Sequence, residues 1–186
     1  MTKEKKQYDE EVIIARLQDP ALQADAFSEI VKKHSEQIYW HIRRMVLTHD
    51  DANDILQNTF IKAWNGINNF RGESQISTWL YRIAINETLT FLNHKQPQQI
   101  SLDTVEGSIA EQLESDIYFN GEHADALLHE AISTLPEKQR IIFDLKYFQE
   151  KKYEEISEIL GTSIGALKAS YHIAVKKIEN YLNNKD

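Results

Sequence analysis

Leu135–Leu182 reads LPEKQRIIFDLKYFQEKKYEEISEILGTSIGALKASYHIAVKKIENYL, and its punctuation decides the fold. Pro136 stands at the first turn of a helix that carries Ile141, Ile142, Leu145 and Phe148 at helical spacing. A second helix, KYEEISEIL, is closed by Gly161, a residue suited to a left-handed C-cap. Thr162-Ser163 then opens a third, IGALKASYHIAVKKIENYL. A short helix, a three-residue turn containing glycine and a longer helix make a helix-turn-helix. In the last helix Ile164, Leu167, Tyr171, Ala174, Ile178 and Leu182 share one face, and Lys168, Ala169, His172 and Lys176 share the other. The second face is small, polar and cationic, as a helix entering the major groove requires. Read alone, the segment also fits an ordinary amphipathic helix with solvated lysines.

Upstream, Asp50-Asp51 is expected to cap ANDILQNTFIKAWNGI. Ala52, Ile55, Leu56, Thr59 and Ala63 form its inward stripe, and Asp54, Gln57, Asn58, Ile61 and Asn65 its outward one. Ile61 is an apolar side chain centred on a polar face, either a stray surface residue or an anchor for a partner. A loop with Phe70, Arg71 and Gly72 leads to a helix expected to begin near Ser77 or Thr78. There Trp79, Arg82, Asn86 and Thr90 recur at three-four spacing. An aromatic ring, a guanidinium and amides on one face suit unstacked bases, which need planes to stack on and donors for their exposed edges. Taken singly, Trp79 reads as core and Arg82 as a surface charge.

Around these segments the composition is that of an all-α protein. Only 6 Gly and 3 Pro interrupt 186 residues, and 41% of the chain is hydrophobic. The absence of cysteine removes disulfides, thiolate zinc sites and cysteine nucleophiles. No apolar run approaches the roughly 20 residues that span a bilayer, and MTKEKKQYDE lacks a secretory apolar stretch, so a cytoplasmic location is expected. The histidines show no HExxH pair, and neither a phosphate-binding glycine loop nor a nucleophile elbow is present. The reading is therefore of a non-enzyme with no cofactor, metal or small-molecule substrate.

The formal net charge of −8 is unevenly spread. Residues 1–96 carry 12 basic and 13 acidic side chains, and 134–186 carry 9 and 8, whereas 97–133 carry 8 acidic and no basic ones. Three parts follow: an N-terminal helical domain (1–96), an acidic linker (97–133) with room for a short helix near His123–Ile132, and a C-terminal domain (134–186).

The ordered pair of constellations resembles the extracytoplasmic-function group of the sigma-70 family over about four-fifths of the chain, from roughly Ala26 to Gln96 and from Leu135 to Leu182. DDANDILQNTFIKAW is similar to the family's polymerase-docking helix, and FRGESQISTWLYRIAIN to its loop and helix for the minus 10 element. The resemblance implies an alternative sigma factor that binds core RNA polymerase and directs promoter-specific initiation. It assigns Asp54, Gln57, Asn58 and Ile61 to the clamp helices of the largest polymerase subunit. It assigns Phe70, Arg71, Gly72, Trp79, Arg82 and Asn86 to the displaced minus 10 strand, and Lys168, Ala169, His172 and Lys176 to the minus 35 duplex. Further implied partners are the polymerase flap region and an anti-sigma factor, membrane-attached in many relatives. Ser170, Ile173 and Val175 stand where many relatives carry arginines, which leaves few phosphate anchors. Gly165–His172 resembles the version found in Bacteroidetes. The acidic linker is expected to follow the positively lined RNA path of polymerase.

The alternative is a free-standing helix-turn-helix regulator with an N-terminal sensor domain. Charge disfavours it: Lys168, Lys176 and Lys177 would neutralise only about three phosphates, each worth about −0.9 in the salt slope.

Overall fold

A computed structural model describes residues 8–46, 48–95 and 123–184, and every regular element among them is helical. The acidic stretch 97–122, with its expected RNA-like path, lies outside the described residues.

The N-terminal unit comprises α1 (Glu10–Leu17), α2 (Gln23–Arg43), α3 (His49–Gly66), one 3₁₀ turn at Ile67–Asn69, and α4 (Ile76–Lys95). Helix α2 packs against α1, α3 and α4. Its Ala26, Phe27, Ile30, His34, Ile38, His41 and Ile42 recur at three-four spacing and are buried. On α3 the buried residues are Ala52, Ile55, Thr59 and Ala63, with Leu56 half-buried beside them. Thr59 is tolerated inside because its hydroxyl donates to the Ile55 carbonyl at 2.7 Å. The cap of α3 differs from the sequence reading. The Thr48 hydroxyl accepts from the Asp51 amide at 3.1 Å, while Asp50 and Asp51 occupy the first turn, where their charge meets the positive end of the helix dipole.

The C-terminal unit comprises α5 (His123–Ser133), α6 (Glu137–Tyr147), α7 (Tyr153–Leu160) and α8 (Ile164–Asn183). Helix α5 covers residues expected to be linker, and it belongs to this core. Ala131 and Ile132 are buried with Leu135, Phe143, Ala174 and Ile178. The Arg140 guanidinium ties the connection after α5 to α6, donating to the carbonyls of Ser133 at 2.8 Å and Leu135 at 3.2 Å. Between α7 and α8, Gly161 has φ of 61°, which a side chain would strain. Ser163 caps α8 by accepting from the Ala166 amide.

The two units pack on each other. Ile141, Ile142, Leu145, Ile156, Ile159 and Leu167 join the same apolar core as the N-terminal helices, and α7 lies against α4. Buried polar groups cross the seam. Asp144 accepts from Arg44 Nη1 at 2.9 Å and from His41 Nδ1. The Arg44 guanidinium lies 4.0 Å from the Phe148 ring centroid. Tyr81 donates to Gln149 Oε1 at 2.6 Å, and Lys151 Nζ to Ser77 Oγ at 3.0 Å.

Candidate functional site

Three surfaces carry the residues singled out by the sequence. The first lies between α2 and α3. Phe27 and Val31 of α2 and Leu56 and Phe60 of α3 line an open apolar groove of about 640 Å³. Asp54 and Gln57 form part of its polar lining, and Asn58 is exposed on the same helix. Ile61, 51% exposed, lines the groove together with Trp64, 40% exposed. The Trp64 ring packs 5.1 Å from that of Phe27, so the indole is fixed on one side and bare on the other. Trp64 was not among the sequence candidates. Its position three residues after Ile61, on the same helical face, is the signal that finds it. An apolar anchor with a polar surround is the composition of a protein-docking surface.

The second surface runs from the loop before α4 along that helix. Arg71, Gly72, Arg82 and Asn86 are exposed. Trp79 is half-buried, its ring tilted 32° to that of Phe70 at 4.8 Å between centroids. Phe70 itself is 5% exposed and belongs to the core. Its ring therefore supports Trp79 and the loop. Gly72 has φ of 71°, a second position that favours glycine. Arg82 is occupied in this arrangement: Nη2 donates to the Glu158 carbonyl of α7 at 2.8 Å. On the neighbouring turn Lys62 of α3 pairs with Glu87, which leaves the exposed face to Arg82, Asn86 and Thr90.

The third surface is the outer face of α8. Lys168, Ala169, His172 and Lys176 are all exposed, while Leu167, Ala174 and Ile178 are buried behind them. Lys168 Nζ sits 5.6 Å from the Tyr153 ring centroid, so the first turn of α8 leans on the start of α7. Gly165 and Ala166 are exposed beside it, and no heavy atom lies within 4 Å of where a Cβ on Gly165 would be. That end of the helix is slim enough to enter a groove.

Burial perturbs two groups at the base of the N-terminal unit. Desolvation, with Lys33 and Lys151 nearby, lowers His34 to about 4, so it is neutral near pH 7. Its Nε2 lies 3.4 Å from the Tyr8 hydroxyl, which burial and the carboxylates of Glu10 and Glu29 raise to about 12. Among the described residues no cluster of three or more His, Asp or Glu has the arrangement to hold a metal, and no helix is long and apolar enough to cross a membrane.

Comparison with known proteins places the two units in a family. Residues 30–97 match the family described as Sigma-70 region 2, and residues 125–178 match Sigma-70, region 4. The ECF RNA polymerase sigma factor SigW of Bacillus subtilis is 34% identical over 157 residues, covering 80% of this chain and 84% of its own. This chain belongs to the extracytoplasmic-function group of sigma-70 factors. The RNA polymerase sigma-H factor of Pseudomonas aeruginosa is 31% identical over 173 residues, covering 84% of this chain and 86% of its own. CnrH, solved in complex with the cytosolic domain of CnrY, shares the fold, with a TM-score of 0.73 at 19% identity over 95% of this chain and 99% of that one. The protein thus directs transcription initiation through RNA polymerase and is not an enzyme. Likeness across both units displaces the free-standing regulator, for which only the C-terminal half would be needed.

Proposed function

We propose that this sigma factor docks on the clamp helices of the largest polymerase subunit through Asp54, Gln57, Asn58, Ile61 and Trp64. In the same reading Arg71, Gly72, Trp79, Arg82 and Asn86 hold the melted minus 10 strand, and Lys168, Ala169, His172 and Lys176 read the minus 35 duplex. The observation that carries this reading is the division of labour on single helices. On α3 and α8 alike, the assigned residues face solvent and the intervening ones are core.

Distance adds a requirement. The two promoter elements lie about 25 base pairs apart, roughly 85 Å at about 3.4 Å per pair. The longest helices of the two units, α2 with 21 residues and α8 with 20, are each only about 30 Å long at about 1.5 Å per residue, so in this reading the seam at Asp144 opens when both elements are read. Arg82 must then leave the Glu158 carbonyl to reach DNA. Residues 97–122, fully extended, reach about 90 Å, enough to permit the separation. Their acidic character suits the RNA path of polymerase.

The flap region of polymerase is the partner proposed for the C-terminal unit. CnrH was solved with the cytosolic domain of CnrY, and the RpoE of Bartonella quintana with the anti-sigma factor NepR. By analogy we assign this chain an anti-sigma partner. We place its action in the cytoplasm, where polymerase works, and read its Gly165–His172 motif as Bacteroidetes-like.

Gel shifts on a single promoter test the reading. Core alone and sigma alone should leave the specific band weak, and the two together should produce it. Asn86→Ala should weaken only promoters matched at minus 10, and His172→Ala should relax choice only within minus 35. Full specific binding by sigma without core would overturn the assignment.

A further inference from the structure

We infer that α1, which precedes the matched region 2 segment, is a brace that sets the conformation of the minus 10 loop, with Glu10 as the positioning residue. Three residues of α1 and its C-cap meet that loop at three successive points. The Glu10 Oε1 accepts from the Ile76 amide at 2.7 Å, at the first residue of α4. Ile14 lies against Gly72, close enough that a Cβ there would sit 3.2 Å from Ile14 Cγ2. Gln18 Nε2 donates to the Phe70 carbonyl at 3.3 Å. Glu10, Ile14 and Gln18 are spaced by four, so they form one stripe, and all three points of that stripe are on the loop.

The other face of α1 anchors the brace. Ile13 and Leu17 are 2% exposed in the core, and Arg16 pairs with Glu29 of α2 at 2.8 Å. Gln23, at the start of α2, donates to the Leu17 carbonyl and to Asn68 Oδ1, both at 2.9 Å, which ties the end of α1 to the 3₁₀ turn before the loop. The loop is thus held at Phe70, Gly72 and Ile76 by a helix fixed on its far side.

Glu10 matters most because of where its charge acts. The amides of the first turn of α4 have no partner within the helix, and a carboxylate there makes a charge-assisted bond and meets the positive end of the dipole. That bond fixes where α4 begins. It therefore fixes the phase in which Trp79, Arg82 and Asn86 follow Arg71 and Gly72. Without it the loop samples other conformations, and strand affinity falls in proportion to the fraction still competent. The docking groove on α2 and α3 involves none of the three brace residues.

The inference rests on the minus 10 reading of this loop, and holoenzyme built from the full chain separates the two. Binding is measured to a single-stranded minus 10 oligonucleotide and, in parallel, to core polymerase. Glu10→Ala should weaken strand binding about 5- to 10-fold and leave core affinity unchanged. Glu10→Gln keeps an acceptor oxygen but gives up the charge, so its loss should fall between wild type and Glu10→Ala, about 2- to 3-fold. If Asn86→Ala weakens the strand while Glu10→Ala does not, the brace is refuted and the reading stands. If Asn86→Ala and Arg82→Ala both leave strand binding unchanged, the minus 10 reading fails. Equal losses in Glu10→Ala and Glu10→Gln, or a parallel loss of core affinity, would make Glu10 merely structural and also overturn the inference.

Discussion

Replacing Asp144 with alanine should loosen the seam between the two units. The carboxylate has 2% of its surface exposed and accepts from Arg44, 15% exposed, and from His41, which is fully buried. Its removal leaves a guanidinium without its anion and His41 Nδ1 without its acceptor, while His41 Nε2 already lacks a partner. Exposed ion pairs contribute about 0–1 kcal/mol, but breaking a buried one costs roughly 3–5 kcal/mol because the surviving charge stays desolvated. Carried by the docking equilibrium, that is about a 100- to 5,000-fold fall in the closed-to-open ratio. Arg44 would also lose the carboxylate that orients it over Phe148. Hydrogen exchange at residues 141–149 and 153–160, with the radius of gyration from small-angle scattering, reads the change. Exchange should quicken and the radius should grow, with helix content by circular dichroism unchanged because alanine favours helix. Asp144→Asn keeps an oxygen for Arg44 and should fall between. Wild-type exchange and scattering in Asp144→Ala would refute the reasoning that this buried group holds the units together.

Ile61→Glu should weaken core binding by roughly 2–4 kcal/mol by burying a charge in the docking groove, with the fold intact because Ile61 is half exposed. Titrating labelled variant with core checks this, and wild-type affinity or an unfolded variant would contradict it. His172→Ala should cost about 1–3 kcal/mol of discrimination at one minus 35 position, the scale of a single base contact, measured by binding to promoters substituted there. For His34 the folded pKa is depressed from 6.5 to about 4, so its contribution to stability is full above about pH 6.5 and is lost as the pH falls toward 4. Denaturant melts of wild type and His34→Gln should show wild type losing about 3 kcal/mol more between those limits, and parallel pH profiles would contradict the sign.

Much of this was legible because helices repeat locally. The α3 stripe follows from three-four spacing, as does the division of α8 into a buried and an outer face. Gly161 was legible for a stereochemical reason, since a helix end turning at positive φ favours glycine. What escaped depends on contacts distant in sequence. Asp144 meets His41 across 103 positions and Glu10 meets Ile76 across 66, and no periodicity links either pair. Phe70 is assigned to the strand by resemblance alone, and its burial rests on tertiary packing, including the bond from Gln18 to its carbonyl across 52 positions, which no local spacing reveals. Helix α5 reads as a short helix within an acidic linker because residues 97–133 carry 8 acids and no basic residue, and only Leu135, Phe143 and α8 complete the core that Ala131 and Ile132 enter. Thr48 and the adjacent aspartates are equally good caps by residue type, and only the backbone geometry selects Thr48.

Promoter-selective transcription by reconstituted holoenzyme reads both DNA contacts in one assay. Core polymerase with the wild-type chain is run on a promoter panel carrying every base at each minus 10 and minus 35 position. Transcripts should appear only when chain and core are both present. Asn86→Ala should flatten base preference in the first element alone and His172→Ala in the second alone. Transcripts that keep the same preferences when both residues are replaced would contradict it.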